Sequence, residues 1–135
     1  MIIGFNFRKI HIEKKNPVTG KVDINNNVGI KDVQESDLAL GRQKQKGLSF
    51  SFEFTSKFEP DIGELAFTGE VIYLGDSKTN DEIISAWQKR KSLPKDIMTE
   101  VIDTVLHRCN IEALILSRDL NLPPPVPLPK VKREE

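Results

Sequence analysis

The sequence is poor in most of the features that announce a function. It has one cysteine, Cys109, so no disulfide can form within the chain. It has two histidines, His11 and His107, too few for a zinc site built from imidazole and thiolate, since His107 and Cys109 are two apart and point to different parts of a helix. Its apolar runs are a few residues long, far below the roughly 20 that a membrane-spanning helix requires. The opening residues Met1 to Asn6 are too short an apolar stretch for a signal peptide, which places the chain in the cytoplasm as an expectation. Neither charge sign prevails: twenty basic side chains balance twenty acidic ones, so no global field draws the chain onto nucleic acid or anionic lipid.

Catalytic signatures are missing in the same way. There is no Gly-rich phosphate loop, nucleophile elbow or His-Glu-x-x-His pattern, and the expectation is a protein that is not an enzyme and takes no cofactor or metal. Glu59, Asp61 and Glu64 surround a turn, where acids are ordinarily solvated, and spacing implies no His or Lys partner for them. Arg42, Lys44 and Lys46 alternate with glutamine and glycine rather than with aromatics, which favours a solvated surface over a nucleic-acid contact.

What is present is a chain of 135 residues with a 38% hydrophobic content, enough for one domain with its own core, spanning 1–129 and followed by a charged tail, 130–135. Apolar residues alternate at Ile3, Phe5 and Phe7 and then at Ile10 and Ile12, predicting a strand with a β-bulge near Arg8 and Lys9. Turn formers at 16–20 precede Val22, Ile24, Val28 and Ile30, so the first two strands read as a hairpin. The pattern lapses over 34–47, which predicts a long connection. Leu48, Phe50, Phe52 and Phe54 mark the clearest half-buried strand, and Leu65, Phe67, Val71 and Tyr73 a fourth, joined to it by a short turn.

The period then changes. Thr79 and Glu82 form a capping-box pattern ahead of Ile83, Ile84 and Trp87, predicting a short helix to about Lys91. Pro94 suits the first turn of a second helix, where Ile97, Val101, Val105, Cys109 and Ala113 recur at helical spacing over about 25 residues. Met98, Ile102, Leu106, Leu114 and Ile115 broaden that stripe beyond what one sheet face needs, which suggests a sandwiched helix or one shared with a second copy. Cys109 falls on the stripe as a small core residue. Residues 122–129, dense in proline, predict an extended polyproline-like end with Val126 and Leu128 as apolar teeth. The fold class is therefore α+β, four strands followed by a short and a long helix.

The element order, the run Leu93-Pro94-Lys95-Asp96-Ile97 ahead of a long apolar helix, and the stretch from Leu120 through Asn121, Leu122 and the prolines to Pro129 resemble the protein-export chaperone SecB family, in its archaeal SecB-like branch. The resemblance implies a Greek-key antiparallel sheet with the helices on one face. It implies an ATP-independent holdase for non-native polypeptides that assembles as a dimer or tetramer through its long helices, with Val101, Val105, Leu106 and Leu114 at the interface. It further implies a polypeptide groove bordered by Leu38 and Leu40 and by Val126 and Leu128. Met98 to Val101 stand where bacterial members carry aromatic and arginine residues, so a general chaperone role is expected ahead of a secretion-specific one. The alternative is a non-catalytic adaptor that binds one specific folded partner through the same surfaces.

Overall fold

The computed structural model describes residues 1–40 and 43–125, the side chains of Ala39, Leu40 and Gln43 excepted. The period-two segments become four strands, β1 (Ile2–Lys14), β2 (Asp23–Leu40), β3 (Gln43–Glu59) and β4 (Gly63–Tyr73). The period-3.6 segments become two helices, α1 (Ser77–Arg90) and α2 (Lys95–Asp119). The strands form one antiparallel sheet in the order β1-β4-β3-β2, a Greek-key arrangement.

That order corrects the expected β1–β2 hairpin, because β1 pairs with β4 and the two strands occupy opposite edges. The turn formers at 16–20 instead mark where the chain leaves the sheet and passes around its end. There the backbone N–H groups of Lys15 and Asn16 donate to the Ile62 carbonyl at 2.7 and 3.2 Å, and Asn16 Nδ2 donates to the Asp61 carbonyl. The crossover thus straps the β3–β4 turn. The β-bulge expected in the first strand is present as a register shift between Phe7 and Lys9.

Residues 34–40 and 43–47 are strand rather than connection. β2 and β3 stay paired out to Leu40 and Gln43, whereas β4 ends opposite Leu48, so 36–40 and 43–47 continue as a two-stranded ribbon beyond the sheet. Alternation is visible in sequence only where one face is buried, and among the described residues no layer covers this ribbon. A register shift between Ile30 and Asp32 further breaks the phase of β2. Asn80 of α1 fixes the ribbon's base, its Nδ2 donating to the carbonyls of Lys46 and Gly75 at 3.3 Å each.

The core lies between one sheet face and the helices. Leu48, Phe50, Phe52, Phe54 and Phe58 of β3 and Leu65, Phe67, Val71 and Tyr73 of β4 meet Ile83 and Trp87 of α1 and Ile97, Val101, Val105, Cys109 and Ala113 of α2. Phe54 stacks on Phe67 and Phe5 on Phe52, with centroids 5.9 and 5.1 Å apart. The opposite face carries Ser49, Ser51, Glu53 and Thr55 beside Glu64, Thr68 and Glu70, a polar surface that needs no cover. The Phe-rich strand is accordingly consumed inside the single chain.

At the start of α1 the cap is Asp76 rather than the Thr79 box. Its carboxylate accepts from the Thr79 N–H at 2.7 Å, and this hydrogen bond holds it below the usual carboxylate range. α2 has the expected 25 residues, with Pro94 at its N-cap. Tyr73 lies under its first turns, where burial, reinforced by the carboxylates of Glu100, Asp76 and Asp96, pushes the phenol up. Neither described helix is long and apolar enough to cross a membrane.

Candidate functional site

An apolar concavity forms where α2 ends. Asn121 adopts a left-handed φ of 55°, and its N–H donates to the Arg118 carbonyl while that of Leu122 donates to the Ser117 carbonyl. This is a Schellman closure, which satisfies the last helical carbonyls and turns the chain back along the helix. Asn is among the few residues that take a left-handed conformation at little cost. Leu122 is buried by that reversal, and the prolines after it cannot extend the helix.

The returning segment is held to the sheet by Asn26 of β2. Asn26 Nδ2 donates to the Pro125 carbonyl at 2.8 Å, and Asn26 Oδ1 accepts from the Ser56 hydroxyl of β3. Between helix and segment lies a groove of about 460 Å³ lined by Leu114, Ile115, Ser117, Arg118, Leu122 and Pro124. Ile115 is 42% exposed at its rim. Ser117 Oγ is buried there with no hydrogen-bond partner among the described residues. An unpaired buried hydroxyl costs about 1–3 kcal/mol.

Of the residues expected to bind polypeptide, Leu38 is the one whose side chain the structure describes. Leu38 lies on the ribbon, about 40 Å farther along β2 than Asn26 at the rise of a strand. It packs over Gly47 on the face away from the helices. The physical reason is the ribbon itself: a loop could have folded back toward the helices, whereas paired strands carry Leu38 outward. The side chain of Leu40, and Val126 and Leu128, lie outside what the structure describes. Of the residues expected at an oligomer interface, Val101 and Val105 have no exposed surface in the single chain, so a second copy would have to meet other residues of α2. Leu106 packs at the edge of the core, and Leu114 lines the groove. Ile111 and Ile115 are the large apolar residues that α2 leaves exposed. Ile115, Leu122 and Pro124 were missed as site residues, although Ile115 falls off the buried stripe and Asn121 marks the reversal.

A second depression, lined by Phe5, Asp103, Thr104, His107 and Arg108 among others, lies between β1 and α2, with the Arg108 guanidinium 4.8 Å over the Phe5 ring. It is open and mixed in polarity. On the inner side of α2, burial pushes the Cys109 thiol up to about 12, against a smaller lowering by Arg108. The thiolate is the reactive form. A maleimide or disulfide reagent at pH 8 is therefore expected to leave Cys109 unmodified in the native protein and to label it on addition of denaturant. Stoichiometric labelling of the folded chain within minutes would contradict its burial.

No protein-family model matches the chain, and no curated protein matches it. Among solved structures, it is similar to the Mycobacterium tuberculosis Rv1957 SecB-like chaperone in complex with a ChAD peptide from the Rv1956 HigA1 antitoxin. The TM-score is 0.50 at 12% identity, over 100% of this chain and 92% of that one. The likeness is one of fold.

Proposed function

We propose that the protein is an ATP-independent holdase that binds extended apolar segments of non-native polypeptides in the groove at the end of α2. The observation that carries the reading is that groove, with apolar walls from Leu114, Ile115, Leu122 and Pro124. Such a surface takes apolar side chains, which suits chains without a common sequence. Two further supports are the fold shared with a SecB-like chaperone that holds a peptide and the fixed inner wall that Asn26 gives the groove. Self-association in the cytoplasm belongs to the same proposal, with the exposed Met1, Ile3 and Ile10 of the β1 edge and Ile111 of α2 as apolar surface available to a second copy.

The test is suppression of aggregation. At stoichiometric amounts and without ATP, the protein is expected to reduce light scattering by an unrelated, chemically unfolded protein on dilution. Ile115→Asp should remove most of that suppression while lowering the unfolding free energy by no more than about 1–2 kcal/mol, because the side chain is 42% exposed. A flat scattering result would sink the holdase reading, and retention of one co-purifying folded protein instead would favour an adaptor. Native mass in the same buffer reports self-association, and a monomer would remove that part of the proposal.

A further inference from the structure

The polar face of the sheet holds a side-chain cluster with no part in the groove. Pairing of β1 with β4 sets Glu13 directly opposite Glu64, and His11, two residues before Glu13, projects from the same face. His11 Nε2 stands 3.7 Å from Glu13 Oε2 and 3.9 Å from Glu64 Oε1, and the three ligand atoms all lie within 4.8 Å of one another. Lys15 Nζ is 3.9 Å from Glu64 Oε1 and 3.8 Å from Asp61 Oδ1. Asp61 and Glu64 thus share one ammonium, and Glu13 lies outside its reach.

Like charges directly opposite in a sheet destabilise the pairing. Glu13 and Glu64 meet in this way beside the strapped β3–β4 turn, and only Glu64 has Lys15 within ion-pair distance. A cation between them would turn the repulsion into a clamp. We propose that His11, Glu13 and Glu64 form a divalent transition-metal site, with zinc as the ion, that staples β1 to β4.

The donor set argues for zinc. One imidazole with two carboxylates suits a borderline ion, whereas calcium and magnesium favour oxygen ligands alone. Ligand atoms around a tetrahedral zinc are about 3.4 Å apart, from bond lengths near 2.1 Å. The present separations exceed that by up to about 1.4 Å, which rotation of three solvent-facing side chains can supply. Water would complete the coordination. As the ion takes Glu64, Lys15 keeps Asp61 as its partner, so no charge is stranded. The inference is independent of the holdase reading, since the cluster lies on the face of the sheet opposite the helices.

The full-length chain, titrated with zinc chloride alone, should bind one equivalent by calorimetry. Amide resonances should shift around residues 11–15 and 61–66, and the thermal midpoint should rise. His11→Gln and Glu64→Gln are each expected to weaken binding by about tenfold or more. His107→Gln, which removes the other imidazole, should leave affinity unchanged. Circular dichroism confirms that each variant is folded, which the exposed positions make the expected result. The proposal is overturned by an absence of heat and of shifts, by undiminished binding in His11→Gln, or by loss of binding in His107→Gln.

Discussion

Replacing Phe54 with alanine is expected to lower the unfolding free energy by about 3–5 kcal/mol, a large share of the roughly 5–15 kcal/mol that holds a domain of this kind together. Phe54 is 1% exposed and sits on the inner strand β3, with Val28 of β2 on one side and Phe67 of β4 on the other. Its ring is stacked on Phe67 at an interplanar angle of 16°. Truncation removes the transfer free energy of the ring and leaves a cavity whose walls are two hydrogen-bonded strands and a helix, which cannot collapse far. Equilibrium unfolding in urea, followed by circular dichroism with the denaturant slope unchanged, measures the loss. Thr55→Ala, on the solvent face of the same strand, should stay within about 0.5 kcal/mol. A Phe54→Ala loss below about 1 kcal/mol would mean that the core is not packed as described.

The second large effect is expected from a single added methyl group. A Cβ at Gly69 would collide with the backbone carbonyl of Asn6 and stand 2.8 Å from Phe52 Cζ. Gly69 lies opposite Phe7 in β1, at the edge of the bulge, and opposite Phe52 in β3. A side chain can swing aside, but a carbonyl within a paired strand cannot turn without breaking its ladder. Gly69→Ala is therefore expected to cost about 1–3 kcal/mol or more by overpacking, and the damage should be local. Hydrogen exchange should show β1 amides losing protection before those of β2 and β3. Gly29→Ala is the control, since nothing lies within 4 Å of its would-be Cβ. It should be neutral or slightly stabilising, by up to about 1 kcal/mol through the unfolded chain. Equal effects at both positions would show that close approach of β1 is not the cause.

The groove and the cluster differ in how far the sequence disclosed them. Proline density and the residues Leu120 to Leu122 announced that the helix stops and the chain goes on extended. They could not announce that Asn26, on β2, would hold the returning segment. Glu64 was visible as a turn acid without a partner. Its partners His11, Glu13 and Lys15 belong to the first strand and the crossover, and only the β1–β4 register brings them to it. The assumption of a β1–β2 hairpin would have put them at the wrong edge.

By itself the sequence determined the number and kind of elements, the bulge in β1, the length of α2, and the inward stripes at Leu48 to Phe54 and Ile97 to Ala113. Each of these follows from periodicity, because a residue's face on its own strand or helix is set by neighbours two to four positions away. Tertiary structure alone decided that β1 sits beside β4, that the ribbon carries Leu38 away from the groove, and which surface remains open. Those outcomes rest on contacts between distant segments, whose free energies compete with one another and leave no local pattern to be read.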